Sequence, residues 1–268
     1  MKLPAHLDRG QGETVVFLLH GIGGGKIGWP WQLEALAGAG YRAIAWDMPG
    51  YGESEIVVPY TLARLAEALE RLMDHVGARR SVALGHSMGG MVAQEAAARF
   101  PAKVHGLILA GTSPAFGRAD GDWQREFLAR RLRPLDEGQA LRDLAPKLVG
   151  EVVAAGADPA GVALAVEVLA AVAPATYRAS LAALVEFDRR AALSAIRVPT
   201  LVLAGEHDGN APPAMMQKMA ERIPGAHYEC LPGAGHLAPM ERPREFNEAV
   251  LRFLDARFGP NAAARVPA

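Results

Sequence analysis

Short apolar runs alternate with amphipathic stretches along most of this chain, and that alternation leaves few architectures open. Thr14 to Leu19, Tyr41 to Trp46, Ser81 to Leu84, Val104 to Ala110, Pro199 to Ala204 and His227 to Leu231 each read as a strand. Most are apolar at nearly every position, the pattern of strands covered on both faces rather than one. Between them lie stretches with helical spacing. The clearest carries Leu62, Leu65, Ala66, Leu69, Leu72, Met73 and Val76, a stripe that repeats every three to four residues. Strands separated by helices predict an α/β fold with a mostly parallel sheet flanked by helices.

Further helices are expected over Pro30 to Ala39, Met91 to Ala98, Pro213 to Arg222 and Arg244 to Phe258. The strand signal vanishes between Thr112 and Ala192. That stretch holds Trp123, Arg130, Arg131 and Arg133, followed by Ala- and Val-rich segments that Pro146, Pro159 and Pro174 are expected to break. It reads as a helical cap insertion over 113–192 in a core formed by 1–112 and 193–268. The Ala- and Pro-rich tail, Gly259 to Ala268, is expected to fray.

The segment Gly85-His86-Ser87-Met88-Gly89-Gly90 joins an apolar strand to a helix. A serine flanked by glycines at such a turn has the pattern of a nucleophile elbow, in which the glycines permit close backbone approach and the hydroxyl stands above the sheet. A serine hydroxyl needs a base to take its proton and a third group to orient that base. Two later loops at strand ends supply candidates: Gly205-Glu206-His207-Asp208, with two carboxylates, and Gly233-Ala234-Gly235-His236. Sites in open parallel sheets form at these carboxyl ends.

These pieces together resemble the α/β-hydrolase superfamily. The matching segments are His20-Gly21, Asp47-Met48-Pro49-Gly50-Tyr51-Gly52-Glu53-Ser54, the Ser87 elbow, the Asp208 loop and Gly235-His236. Within it the run from Leu231 to Pro243 and the pair Pro212-Pro213 resemble 3-oxoadipate enol-lactonases and meta-cleavage product hydrolases. The resemblance implies Ser87 as nucleophile, His236 as base and Asp208 rather than Glu206 as the acid. It also implies an oxyanion hole made by the backbone N–H groups of Ile22, in the glycine loop after the first strand, and of Met88. His20 and His86 are then expected to buttress these loops. Two departures stand out. Few residues precede Thr14, so the β-hairpin common in this family is expected to be short or missing. Ala211 also stands where members often have a threonine.

The expected activity is hydrolysis of a small carboxylic ester or lactone through an acyl-enzyme, without a cofactor. One alternative is carbon–carbon bond hydrolysis of ring-fission products by the same triad. Another is a small-ligand receptor that keeps the fold without turnover. Any of Arg130, Arg133, Arg178 or Arg189 is a candidate to meet a substrate carboxylate. No His or Cys spacing suggests a metal site, and Gly23-Gly24-Gly25-Lys26 lacks the spacing of a phosphate-binding loop. The net charge of -1 predicts no general affinity for nucleic acid or an anionic membrane, and leaves a homo-oligomer open. With a single cysteine, Cys230, no intrachain disulfide forms. The N-terminal dozen residues lack a signal-peptide core, so a cytoplasmic location is expected.

Overall fold

The computed structural model describes residues 2–117 and 121–259. Seven strands form one sheet: β1 (His6–Arg9), β2 (Thr14–Leu19), β3 (Arg42–Trp46), β4 (Arg80–His86), β5 (Gly106–Ala110), β6 (Thr200–Gly205) and β7 (His227–Leu231). Their order is β1-β3-β2-β4-β5-β6-β7, and all pairings are parallel except β1 with β3. The chain leaves β2 toward one side to form β3, then crosses back to place β4 on the other. Crevices that hold ligands open at such a reversal, at the carboxyl ends of the strands.

Each inner strand divides its apolar residues between two layers. In β2, Val15, Phe17 and Leu19 join one core and Val16 and Leu18 the other, and β5 does the same with Leu107 and Leu109 against Ile108 and Ala110. The first layer is covered by α2 (Leu62–His75), α3 (Met88–Arg99) and α8 (Pro213–Glu221). The second is covered by α1 (Pro30–Gly38) and α10 (Pro243–Phe258), with the short α9 (Ala238–Glu241) before it. Burial on both faces is why these strands lack alternation in the sequence.

Four helices run between β5 and β6: α4 (Asp122–Asp136), α5 (Leu141–Gly150), α6 (Pro159–Ala170) and α7 (Pro174–Val185). Pro159 and Pro174 open α6 and α7, where the missing N–H costs nothing. Pro146 does not break a helix as expected: α5 continues through it, because Leu141, Ala145 and Val149 are all buried and outweigh one lost backbone bond. Hydrogen bonds tie this region to the loop after β3 and to α3. The Tyr51 hydroxyl lies 2.8 Å from Ser180 Oγ, Thr176 Oγ1 donates to the Gly50 carbonyl at 2.7 Å, and Arg189 forks onto the buried Glu95 at 2.6 and 2.7 Å.

The segment before Thr14 forms one edge strand, β1, where the sequence pointed to a short or missing hairpin. The tail expected to fray lies, from residue 260 onward, outside the described residues. Among the described residues no single helix is long and apolar enough to cross a membrane.

Candidate active site

Ser87 is the one non-glycine among the described residues with positive φ, at φ 53 and ψ -120. Side chains avoid this region, and a residue held there stores about 1–3 kcal/mol of strain. The surroundings enforce it. A Cβ on Gly85 would strike the Gly89 carbonyl, one on Gly89 would strike the carbonyl of Leu19, and one on Gly90 would lie 2.6 Å from Thr112 Cγ2. Thr112 Oγ1 also donates to the Ser87 carbonyl at 2.7 Å. The elbow is therefore wedged between β2, β4 and the strand-end loop after β5, and α3 begins at Met88, three residues earlier than its apolar pattern suggests.

His236 lies in the loop between β7 and α9. Its Nε2 is 3.1 Å from Ser87 Oγ and its Nδ1 is 2.9 Å from Asp208 Oδ2. Asp208 is buried, and its other oxygen accepts the backbone N–H groups of Asn210 and Ala211 at 2.8 and 2.9 Å. Burial alone would raise the Asp208 carboxyl, but the imidazole and these two N–H groups prevail and hold it below the usual carboxylate range. Ala211 thus supplies a backbone bond that a threonine there would also supply. Glu206, the other carboxylate of that loop, turns away and accepts the Gly233 N–H at 2.8 Å.

The glycine loop after β2 abuts the elbow: a Cβ on Gly21 would sit 2.8 Å from Ser87 Cβ. His20 holds that loop. Its Nδ1 donates to the Gly21 carbonyl at 2.8 Å and its Nε2 accepts the Met48 N–H at 2.9 Å, an arrangement only the neutral ring can make. Burial lowers its pKa from 6.5 to about 4. His86 donates from Nε2 to the His236 carbonyl at 2.7 Å, and burial, helped by the neighbouring His236, lowers it to about 3. Asp47 pins the far end of the glycine loop, accepting the Lys26 N–H at 2.8 Å and its ammonium at 2.7 Å, while Glu53 N–H donates to it at 3.1 Å. Ile22 lines the cavity described below. The Met88 side chain is buried in the core, and its N–H is the first of α3, which has no acceptor within the helix.

Ser87 and His236 open into a cavity of about 350 Å³. The sheet-end loops form its floor, and Phe127, Leu148, Leu181 and Leu184 of α4, α5 and α7 form much of its apolar roof. A family model described as alpha/beta hydrolase fold matches residues 14–243, a span that contains all of these loops. The chain belongs to the α/β hydrolase family. A thermophilic esterase from Thermogutta terrifontis, solved with malate bound, superposes with a TM-score of 0.83 at 29% identity over 93% of this chain and 92% of that one. A 3-oxoadipate enol-lactonase of Acinetobacter baylyi is 32% identical over 78% of this chain and 77% of its own length. A 2-hydroxy-6-oxononadienedioate/2-hydroxy-6-oxononatrienedioate hydrolase of a Pseudomonas species is 29% identical over 92% of this chain and 90% of its own. Their names are those of an esterase, an enol-lactonase and a dienedioate/trienedioate hydrolase.

Of the four arginines singled out in the sequence of this α/β hydrolase, only Arg130 lines the cavity. Arg133 lies 3.7 Å from Glu137, Arg178 is 2.6 Å from Asp136, and Arg189 is committed to Glu95. Arg131, not among those four, also lines the cavity. Sequence reasoning missed Glu241 as well. This buried carboxylate accepts three backbone N–H groups, from Gly235 and Ala154 at 2.8 Å and from Leu237 at 2.7 Å. His236 N–H donates in turn to the Val152 carbonyl at 2.9 Å. The His236 loop is thereby stitched to the turn after α5. A glutamate five residues past His236, at the end of an apolar run, was the only signal available. Among the described residues no three metal-ligating side chains converge.

Proposed function

We propose that this protein is a serine hydrolase acting on a small carboxylic ester or lactone. The observation that carries the reading is the unbroken hydrogen-bonded line Ser87–His236–Asp208, at 3.1 and 2.9 Å, opening into a cavity sized for a small molecule. Ser87 Oγ attacks the carbonyl carbon and its proton passes to His236 Nε2. Asp208 keeps Nδ1–H pointed at itself, so that Nε2 carries the lone pair, and stabilises the imidazolium once formed. The oxyanion faces the N–H groups of Ile22 and Met88, each contributing on the order of 3 kcal/mol to the transition state. His236 then protonates the leaving oxygen, and water repeats the sequence in reverse to free the acid. In a lactone the leaving oxygen stays attached, and hydrolysis opens the ring.

The helices between β5 and β6 act in this reading as a cap that excludes water and limits substrate size. The names of the esterase and the enol-lactonase similar to this chain favour acyl chemistry, the enol-lactonase specifically a lactone. The test is hydrolysis of 4-nitrophenyl acetate and of an enol-lactone by wild type and by Ser87→Ala. Wild-type turnover that Ser87→Ala abolishes, with an unchanged circular dichroism spectrum, supports the reading. Equal turnover by the variant overturns it. Faster cleavage of a ring-fission diketone than of either acyl substrate would move the assignment to the carbon–carbon hydrolases, as the similarity to the Pseudomonas enzyme allows.

A further inference from the structure

The Ile22 N–H, the oxyanion donor in the reading above, shares a rigid peptide plane with the Gly21 carbonyl, and in this trans peptide the two point opposite ways. Whatever grips that carbonyl therefore aims the N–H. Two donors grip it: His20 Nδ1 at 2.8 Å and the Gly24 N–H at 3.1 Å. The His20 ring is itself held from outside the loop by Tyr51, whose ring meets it edge-on, with centroids 4.8 Å apart and planes at 68°. Tyr51 is buried, and its far end reaches the roof. Its hydroxyl lies 2.8 Å from Ser180 Oγ of α7, and Ser180 Oγ donates in turn to the Tyr60 hydroxyl at 3.2 Å. Each hydroxyl has one proton to give. Ser180 gives its own to Tyr60, so Tyr51 donates to Ser180. The Tyr51 oxygen is left as an acceptor toward the glycine loop, where the Gly23 N–H faces it. Burial pushes the Tyr51 phenol above its ordinary pKa of 10.0, so it keeps its proton. Gly23 is pressed by the roof on its other side: it holds φ 83, and a Cβ there would lie 2.7 Å from Leu169 Cδ1 of α6.

We propose that Tyr51 is a positioning residue for the oxyanion loop, and that it carries the docking of α7 to the donor that meets the transition state. Resting on the hydrolase reading above, this gives the ring and the hydroxyl separate tasks. The ring fixes His20 and so the Gly21–Ile22 peptide. The hydroxyl fixes the next peptide through the Gly23 N–H. Tyr51 does not line the cavity, so its effect on the chemistry passes through the loop. Loosening the loop costs little while the substrate carbonyl is nearly neutral, and more once charge develops on its oxygen. The signature is therefore a loss in kcat at constant KM, in step with weaker binding of any group that places a negative oxygen in the hole.

The experiment measures wild type, Tyr51→Phe, Ser180→Ala and the double variant on 4-nitrophenyl acetate. The rate is counted per Ser87 titrated to completion by a fluorophosphonate, so that misfolded protein drops out. Trifluoroacetone, to which the Ser87 hydroxyl adds to give a tetrahedral oxyanion, reads the same donors without turnover. Tyr51→Phe keeps the ring against His20 and removes only the hydroxyl. It is expected to lower kcat by about tenfold, a part of the roughly 10²–10³ that a whole oxyanion donor supplies, to leave KM within about twofold, and to weaken trifluoroacetone by the same factor as kcat. Ser180→Ala is expected to do the same to a smaller degree. The double variant is expected to be no worse than Tyr51→Phe, since the two hydroxyls act in one line. Unchanged kcat in Tyr51→Phe overturns the proposal, as does a rise in KM alone. A fall in kcat without a matching loss of trifluoroacetone affinity overturns it too, because the fault then lies with the base. Losses that multiply in the double variant overturn the link to the roof. If Tyr51→Phe does not fold, Ser180→Ala decides by the same two readings. Wild type that neither hydrolyses the ester nor binds trifluoroacetone removes the hydrolase reading and this proposal with it. Wild type that does both, equalled by Tyr51→Phe, removes the positioning role alone.

Discussion

Two imidazoles, His20 and His86, sit buried at the base of the site, and acid should unfold the protein through them. The ordinary pKa of each is 6.5, and burial lowers His20 to about 4 and His86 to about 3. Because the folded values are depressed, the unfolded chain binds more protons between about pH 6.5 and those folded values, and stability must fall with acidification across that window. Above that pH both rings are neutral in either state and contribute no slope. At pH 5 the unfolded rings lie 1.5 pH units below their pKa, which favours unfolding by about 2 kcal/mol each at 1.4 kcal/mol per unit. The folded rings remain neutral there. Together they remove about 4 kcal/mol between pH 8 and pH 5, a large part of the 5–15 kcal/mol typical of a domain. The loss from His20 levels off near pH 4 and that from His86 near pH 3. Urea unfolding followed by tryptophan fluorescence at pH 8, 6 and 5 measures it, and near pH 5 the slope should correspond to about two protons taken up on unfolding. His86→Gln, which keeps an N–H donor for the His236 carbonyl, should lower that slope by about one proton. Stability that stays flat from pH 8 to pH 5 would show that the rings are already charged or solvated, and would refute the assignment of His20 as a neutral ring accepting the Met48 N–H.

The remaining predictions concern the groups around Ser87. Asp208→Asn should leave the fold intact and lower kcat by about 10⁴-fold by stabilising the wrong imidazole tautomer; stopped-flow or steady-state ester hydrolysis reads this directly. Gly89→Ala should cost about 3 kcal/mol or more, because the added methyl meets the Leu19 backbone carbonyl and neither element can yield; thermal melts check it, with Gly38→Ala, where a Cβ meets nothing within 4 Å, as the tolerant control. Glu241→Gln turns an oxygen that accepts a backbone N–H into an amide donor facing one. It should lower stability by about 1–3 kcal/mol and reduce kcat as the His236 loop loosens, while Glu248→Gln, on the exposed side of α10, should do neither.

The sheet could be read from the sequence because its inner strands are sandwiched. A run such as Val15-Val16-Phe17-Leu18-Leu19 has no solvent face, so no polar residue interrupts it. The opposite holds for β1, where His6-Leu7-Asp8-Arg9 is mostly exposed at the sheet edge and pairs through its backbone with β3. Nothing in those side chains announces a strand. The start of α3 was hidden for another reason. Gly89 and Gly90 are poor helix formers, and they stand there because Leu19 and Thr112 press against their Cα atoms. The contact requirement outweighs propensity, and a reading from propensity begins the helix after them.

The same distinction separates the parts of the site that could be read from those that could not. Ser87, Asp208 and His236 each sit in a short loop after a strand, buried throughout for β6 and nearly so for β4, so local pattern marks them. Glu241 and Arg131 draw their roles from partners far along the chain. Glu241 is meaningful only because Ala154 and Gly235 converge on one of its oxygens, 87 and 6 residues away. Arg131 becomes a wall of the cavity only because α4 shares that cavity with the loops that follow β2 and β4. Its neighbour Arg130 has similar surroundings in sequence to Arg133, yet three residues along the helix suffice to turn Arg133 toward Glu137. The chemistry of the floor is therefore written locally, whereas the chemistry of the roof depends on how the helices between β5 and β6 dock. Substitutions in those helices can change which small molecule fits the cavity without touching the Ser87–His236–Asp208 line. That separation predicts that exchanging Arg130 and Arg131 for apolar residues redirects substrate choice, while the response of the remaining activity to Ser87→Ala stays complete. An Arg130/Arg131 variant whose residual turnover survived Ser87→Ala would show that floor and roof do not divide the work in this way.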